Sequence, residues 1–459
     1  MDQSVVLDAA LISRYDKSGP RYTSYPTAPQ FSEEFTADRY RHHARCSDPE
    51  SPLSLYFHLP FCATVCFYCA CTKVITNNRK RAQPYLQRLY REIALQGELY
   101  DGRCVDQLHW GGGTPTFLSA EQMRELMQAT ADHFPLRDDD QGEYSIEIDP
   151  READEDTMQL LRELGFNRVS LGVQDFDAHV QRAVNRIQSE EQTRRVLQAA
   201  RDCGFRSTSV DLIYGLPLQS VESFSVTLDK IVAASPDRIS VFNYAHLPRL
   251  FKTQKQIAER QLPAAAEKLA ILAHVIERLT DAGYVYIGMD HFARPDDELA
   301  IAQREGTLYR NFQGYATHAS CDLVGMGMSA IGSVAECYSQ NTRDIAAYCE
   351  HLDRDQLPIV RGVELSREDH VRRDAITRLM CDFSIHKPTF SARWEIDFDS
   401  YFARELGELL PMAEDGLVRL DEQAIEIQPV GRLLVRNVCM VFDSYLHSAN
   451  GAQMFSRAI

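Results

Sequence analysis

Residues 53–73 read LSLYFHLPFCATVCFYCACTK. The first seven alternate strictly, with Leu53, Leu55, Phe57 and Leu59 on one face and Ser54, Tyr56 and His58 on the other. Side chains of a strand point alternately to opposite faces, so this period of two predicts a β-strand. It runs directly into four cysteines within ten residues, of which Cys62, Cys66 and Cys69 form CxxxCxxC. A structural zinc site usually takes two separated pairs of ligands, and no second pair follows. Three close thiolates suit a four-iron cluster that keeps one iron open, and Cys71 is the residue that would close it.

A βα rhythm continues outward from this strand. In PYLQRLYREIAL (84–95), Tyr85, Leu89 and Ile93 fall on one helical stripe. VDQLHW (105–110) reads as the next strand, then the loop GGGTPTFL (111–118) and a helix opened by the capping pattern Ser119-x-x-Gln122. Further strands are expected at 144–149, 168–174, 207–215 and 238–244. The phrases RELGFNRVSLG, RDCGFRSTSVD and TDAGYVYIGMD form a weak internal repeat, a helix stopped at Gly165, Gly204 or Gly283 and followed by a strand. Repeated βα units imply a parallel sheet, with chemistry at the C-terminal ends of its strands. There lie the cysteines, GGGTP, Glu147 and Asp149.

The fold expected is therefore α/β, a partial (β/α) barrel of parallel strands over 38–365, preceded by an arm (1–37) and followed by a mostly helical domain (366–459). SREDHVRRDAITRLMCDF (366–383) reads as an amphipathic helix, and DGLVRLDEQAIEIQPVGRLL (415–434) as a β-hairpin entering another helix, a winged-helix-like pattern. That last segment is acidic, and the chain carries a net charge of −17, which argues against nucleic acid as a partner. Residues 323–335, the longest uncharged Gly/Met-rich run, fall short of the roughly 20 apolar residues of a membrane span. The N-terminus lacks the basic start and apolar core of a signal peptide, so a reducing, cytoplasmic setting is expected for the twelve cysteines. The eight outside 62–71 are read as buried thiols.

An aromatic residue, Tyr68, precedes the last motif cysteine, and a GGGTP loop ends the next strand. This pattern resembles the radical S-adenosylmethionine (SAM) superfamily. SGPRYTSYPTAPQFSEEF, QLHWGGGTPTFL, SIEIDPRE, GVQDFD, VNRIQ, DLIYGLP, SVFNYAHLP, GMDHFARPDDELA and RNFQGY resemble, more closely, the oxygen-independent coproporphyrinogen III oxidases, from about residue 15 to the terminal FSRAI. The resemblance implies a [4Fe–4S] cluster with one open iron on Cys62, Cys66 and Cys69, and two SAM molecules in one site. Tyr56, Gly112, Glu147 and Ile331 would contact the cluster-bound SAM; Tyr68, Gly113, Thr114, Gln174, Arg186, Asp211 and Ala245 would contact the second.

The reaction so implied converts two propionates of coproporphyrinogen III to vinyl groups with loss of two CO2, giving protoporphyrinogen IX. A 5′-deoxyadenosyl radical abstracts the β-hydrogen and one electron passes to an acceptor. Tyr56, His58 and Arg21 are the candidate catalytic residues, with Arg249 and Arg294 as further candidates for the substrate carboxylates. A one-electron reductant of flavodoxin type and a monomeric enzyme are expected. A haem chaperone sharing this core is the alternative reading; Cys71 and the PRYTSYPTA arm favour the oxidase. An iron–sulfur electron carrier would not need a chain of this length or a SAM-type glycine loop. The arm, with Tyr22 and Tyr25, is expected to lie over the active site, and loss of residues 1–30 to leave stability nearly unchanged.

Overall fold

Parallel strands from residue 53 onward organise the molecule, whose computed structural model describes residues 5–448. The chain forms two compact units, one of residues 30–264 with 320–364, the other from the described parts of 1–29, 265–319 and 365–459. Residues 265–319 group with the C-terminal segment.

In the first unit seven strands run parallel. They are β1 (Leu53–Leu59), β2 (Val105–Gly112), β3 (Glu143–Ile148), β4 (Arg168–Gln174), β5 (Ser207–Tyr214), β6 (Arg238–Asn243) and β7 (Asp322–Met326). β8 (Ile331–Val334), β9 (Cys337–Asn341) and β10 (Ile359–Glu364) extend the sheet antiparallel beyond β7. The spatial order is β10-β9-β8-β7-β1-β2-β3-β4-β5-β6, so the cysteine-bearing strand is central and each parallel step from β1 to β6 is a βα crossover, the expected partial barrel.

The crossover helices are α1 (Ala82–Gly97), α2 (Ala120–His133), α3 (Glu155–Glu163), α4 (Glu190–Asp202) and α5 (Val221–Ala234). Ser119 and Gln122 form the capping box that opens α2. Gly165 and Gly204 end α3 and α4 with φ of 93° and 79°, values a side chain would strain. Leu53, Leu55 and Phe57 are fully buried, and on the polar face of β1 Ser54 and His58 are 2% and 6% exposed while Tyr56 is half-buried. A strand covered on both sides is usual for a parallel sheet. The polar alternation therefore marks a barrel interior, not a solvent face.

The second unit is helical with a three-stranded antiparallel sheet, Ser384–His386, Ala424–Ile427 and Val418–Leu420. Both expected elements are present: the helix Arg367–Asp382, capped by Ser366 with Asp369, and the hairpin leading to the helix Val435–Val441.

The N-terminal arm departs from expectation. It contains a helix, Ala9–Tyr15, capped by the Asp8 carboxylate, which the Pro/Tyr-rich composition downstream conceals. Its aromatics do not stand open for a macrocycle. Tyr22 and Tyr25 are 4% and 1% exposed; the Tyr22 hydroxyl donates to Asp443 at 3.0 Å and the Tyr25 hydroxyl bonds Ser444 at 2.9 Å. Arg436 donates to the carbonyls of Gly19 and Pro20, and Asn437 to that of Tyr15 at 2.7 Å. The arm is thus an integral part of this unit. The terminal FSRAI lies outside the described residues. Of the scattered cysteines, Cys337, Cys381 and Cys439 are buried as expected, but Cys46 is exposed on a short surface helix.

Candidate active site at the strand ends

The loop after β1 is closed by a local pairing. Phe61–Cys62 runs parallel to Val74–Ile75, with the Val74 amide donating to Pro60 and the Thr76 amide to Cys62. Between these ends, the Lys73 ammonium donates to the carbonyls of Cys69 (2.8 Å) and Cys71 (3.3 Å). Phe67 and Tyr68 anchor the loop against an apolar cluster of Val180, Val184, Leu216, Tyr244 and Ile257. This explains the aromatic beside the last motif cysteine: it holds the loop down by burial. Gln254 ties the loop to the end of β6, donating through Nε2 to the carbonyls of Tyr68 (3.0 Å) and Ala245 (3.2 Å).

The thiols face cationic groups. Arg186 Nη1 and Arg151 Nη2 lie 3.5 and 3.8 Å from the Cys66 sulfur, and the Thr114 hydroxyl 3.7 Å from that of Cys62. Burial pushes the Cys62 thiol up to about 11, although the Thr114 hydrogen bond opposes it, and the charges of Cys69 and Cys66 add to the rise. The Cys71 thiol donates to Cys69, which lowers the Cys69 thiol and raises that of Cys71; Lys73 assists the lowering. Among the described residues, no three His, Cys, Asp or Glu side chains converge as ligands of one metal ion would.

Facing the cysteine loop, the strands present a polar layer in register. Tyr56 is paired with His109, His109 with Ser145, Glu147 with Ser170, and Asp211 with both Gly172 and Ser240. The Tyr56 and His109 rings stack at 5.8 Å. Burial lowers the His58 pKa, so its imidazole is neutral at pH 7. The Thr72 carbonyl, 2.9 Å from Nε2, can only accept, so Nε2 carries the proton and Nδ1 accepts from the Tyr56 hydroxyl at 3.1 Å.

Glu147 accepts from the Gly112 amide and from His109, each at 3.3 Å. Burial works to raise its carboxyl, but the His109 hydrogen bond and charge, with the Gly112 amide, outweigh it and hold the group below the ordinary range. Asp211, which accepts from Ser170 at 3.1 Å, goes the other way. Burial and the Glu147 charge push it up to about 6.

The glycines allow no substitute. Gly112 has φ of 107°, and a Cβ there would stand 2.6 Å from the His58 ring; a Cβ on Gly113 would stand 2.6 Å from the Phe61 carbonyl. At the other side of β1, Ile331 opens β8, its carbonyl 2.5 Å from where a Cβ on Gly325 of β7 would sit.

Arg186 is ion-paired with Asp149 at 2.9 Å, and Asp149 also holds Arg151 at 2.7 Å. Burial opposes ionisation of Asp149, but the two guanidiniums keep its carboxyl below the usual range. Arg186 Nε, Gln174 Oε1 and Asn243 Oδ1 are buried without a hydrogen-bond partner among the described residues, and Gln174 holds φ of 69°. Buried polar atoms left unpaired at two strand ends and in the loop that carries Arg186 are what a ligand's own polar groups would satisfy.

The structure thus assembles Tyr56, His58, the cysteine loop, Gly112, Gly113, Thr114, Glu147, Gln174, Arg186, Asp211, Ala245 and Ile331 within one unit. Arg21 belongs to the other unit, where it pairs with Asp290 at 3.1 Å. Arg249 is exposed, and Arg294 reaches Asp296 at 3.5 Å. Sequence reasoning missed His109, Arg151 and Asn243. His109 carried a signal, since it lies on β2 two residues before the glycine run, on the side chain face of its Tyr56 partner.

A family model described as the radical SAM superfamily matches residues 56–231, and one described as the HemN C-terminal domain matches 365–434. The oxygen-independent coproporphyrinogen III oxidase of Pseudomonas aeruginosa is 56% identical over 98% of both chains. That of Escherichia coli is 50% identical over 100% of this chain and 99% of its own. The solved structure of the Escherichia coli coproporphyrinogen III oxidase (HemN), described as a radical SAM enzyme, superposes with a TM-score of 0.92 at 48% identity, over 96% of this chain and 100% of that one. With so close a relation along its full described length, the chain belongs to the oxygen-independent coproporphyrinogen III oxidases, radical SAM enzymes that carry a [4Fe–4S] cluster and use SAM.

Proposed function

We propose that the enzyme oxidatively decarboxylates two propionate side chains of coproporphyrinogen III to vinyl groups, giving protoporphyrinogen IX, with the cluster held by Cys62, Cys66 and Cys69 and one iron left open to SAM. The observation that carries this reading is the set of unpartnered polar atoms, Arg186 Nε, Gln174 Oε1 and Asn243 Oδ1, around the glycine edge at the strand ends. The donor set fits as well. Thiolates around one zinc would stand about 4 Å apart, from metal–sulfur bonds of about 2.3 Å. A cubane bonds each cysteine to a different iron and so takes thiols that do not converge on one point.

When bound, the cluster and SAM would supply the radical chemistry that removes hydrogen from the propionate β-carbon. This chain's residues bind and orient. Tyr56, Gly112, Glu147 and Ile331 are assigned to the cluster-bound SAM, Glu147 being held ionised to accept from an amino or hydroxyl group. Tyr68, Gly113, Thr114, Gln174, Arg186, Asp211 and Ala245 are assigned to a second SAM. Arg186 keeps Nε for a carboxylate while Asp149 fixes its position. His58, neutral and tautomerically fixed, orients the Tyr56 hydroxyl without bringing a mobile proton to the site.

The electron comes from a one-electron reductant of flavodoxin type. A cavity of about 1010 Å³ on the outside of the unit is lined by Arg79, Arg124, Arg151 and Arg195 with several acidic residues. Arg151 both lines it and touches Cys66, a short path from surface to cluster. No helix among the described residues is long and apolar enough to cross a membrane. A cytoplasmic, monomeric enzyme remains part of the proposal.

The test is an anaerobic incubation with coproporphyrinogen III, SAM and dithionite, followed by mass analysis of the porphyrin. Loss of two CO2 with matching formation of 5′-deoxyadenosine is expected. Haem binding without decarboxylation would make the protein a chaperone, and an unchanged SAM pool would make it an electron carrier.

A further inference from the structure

Arg151 is held in place by the residue two positions before it. The turn Pro150–Glu152 follows the end of β3, and Asp149 caps it, its carboxylate accepting from the Arg151 amide at 3.1 Å. The same carboxylate takes the Arg151 side chain as a fork, Nε at 3.0 Å and Nη2 at 2.7 Å. Pro150 restricts the backbone between them, so Asp-Pro-Arg is a rigid clamp. A guanidinium Nη2 carries two protons. One goes to Asp149, and the other is directed at the Cys66 sulfur, 3.8 Å away. The contact with sulfur is thus made in addition to the ion pair, not in its place.

The three proposed ligand cysteines are served differently. Cys62 has the neutral Thr114 hydroxyl, and Cys69 has the Cys71 thiol with the Lys73 ammonium. Among the described residues, Cys66 alone of the three receives guanidiniums, from Arg151 and Arg186, both anchored on Asp149. Arg186 is enclosed and assigned to the second SAM, whereas the Arg151 side chain keeps 19% of its surface open and lines the outer cavity. The carboxylate beside it, Glu152, is engaged by Arg79 at 2.6 Å and does not draw Arg151 away from the sulfur.

We infer that Arg151 is a positioning residue that sets the reduction potential of the cluster through Cys66, an inference that rests on the ligand set proposed above. One electron, delivered by the flavodoxin-type carrier, adds one negative charge to the cluster, spread over its iron and sulfur atoms. Hydrogen bonds to the sulfurs and the net charge around them set the potential of such clusters. A fixed cationic donor on one thiolate favours the reduced state over the oxidised one. Arg151 therefore raises the potential, and the clamp formed by Asp149 keeps it at the distance where it does so.

The test is a dithionite titration of the full chain with its cluster, followed by electron paramagnetic resonance of the reduced state. Arg151→Gln is expected to lower the ratio of reduced to oxidised cluster about tenfold at a fixed potential, a midpoint about 59 mV more negative for a one-electron couple. Arg151→Lys should lie between, because it keeps the charge without the planar fork that Asp149 aligns. A merely structural arginine would lower the melting temperature and leave the midpoint where it was. A wild-type midpoint in folded, cluster-loaded Arg151→Gln overturns the inference.

Should Arg151→Gln take up no cluster, the wild-type enzyme and Arg151→Lys decide. With isotopically labelled arginine nitrogen, pulsed resonance of the reduced wild type should show nitrogen couplings from two arginines, and that of Arg151→Lys from one. Identical couplings in the two proteins overturn the inference. A cluster retained in Cys66→Ala would overturn the proposed ligand set and this role with it, whereas an unchanged midpoint where Cys66→Ala has lost the cluster overturns the role of Arg151 alone.

Discussion

The Arg186 guanidinium lies 3.5 Å from the Cys66 sulfur while it is ion-paired with the Asp149 carboxylate. Both members of that pair are under 10% exposed, so the arginine is a structural ion and a candidate ligand group at once. Arg186→Ala would remove one guanidinium from Asp149 but leave Arg151 in place at 2.7 Å. A hydrogen bond to a charged group contributes about 1.5–3 kcal/mol, and a loss of that order is expected in chemical denaturation. Asp149→Asn should cost less in the Arg186→Ala background than alone, as a double-mutant cycle would show. SAM binding should fall from two equivalents toward one with the cluster retained. Unchanged stability together with two equivalents would remove Arg186 from the site.

The proposed ligand set divides the cysteines. Cys62→Ala, Cys66→Ala and Cys69→Ala are each expected to abolish the visible absorption of the cluster. Cys71→Ala should retain most of it, because Cys71 acts as hydrogen-bond donor to its neighbour Cys69. If one iron is left open, as proposed, the cluster should bleach in air when SAM is absent. Absorption that survives in any of the first three variants but vanishes with Cys71 would reassign the ligand set.

The N-terminal arm is expected to be part of the stability of its unit. Removal of residues 1–30 takes the Gly19 and Pro20 carbonyls from Arg436 and the Tyr22 hydroxyl from Asp443, both of which are 2% exposed. The truncated protein should therefore melt at a lower temperature. Tyr22→Phe alone should cost about 1.5–3 kcal/mol, the range for a hydrogen bond to a charged group. A truncated enzyme with an unchanged melting temperature would show the arm to be dispensable to the fold.

The pattern of what could be read from the sequence has a physical basis. The alternation of β1, the capping box at Ser119 and the glycine stops at Gly165 and Gly204 are local signals, written within a few residues, and each appears in the structure. The cysteine loop and Gly112 are likewise local. Tyr22 and Tyr25 looked available because their partners, Asp443 and Ser444, stand about 420 positions later. Asn243 sat inside a recognised phrase, yet nothing in NYAHLP distinguishes an asparagine at a strand end from one in a turn.

Glu92 is a second long-range feature, and it predicts a pH dependence. It is fully buried on α1, a face read as an apolar stripe. Its carboxylate accepts from the Gly327 amide (2.8 Å), Asn341 Nδ2 (2.7 Å) and the Tyr348 hydroxyl (2.6 Å). Burial pushes the carboxyl up to about 7, even though these three donors oppose the rise. A carboxyl whose pKa is raised on folding binds its proton more tightly in the native state. Stability therefore falls as pH rises from the unfolded value near 4.5 to the folded value near 7, and levels off above it. The full change is about 3 kcal/mol by the usual conversion of pKa units to free energy. Glu92→Gln removes the titration, but its amide donor must face Gly327, Tyr348 or Asn341, so one of those hydrogen bonds is lost. The wild-type enzyme should thus melt higher at pH 5.5 than at pH 7.5 and the variant at nearly the same temperature at both, offset downward throughout. The link to the active site is short: Tyr85, stacked on Tyr348 at 5.2 Å, accepts from the Met328 amide and donates to the His58 carbonyl at 2.7 Å. If wild type and Glu92→Gln share one pH profile of stability, Glu92 is ionised throughout that range and the assignment fails.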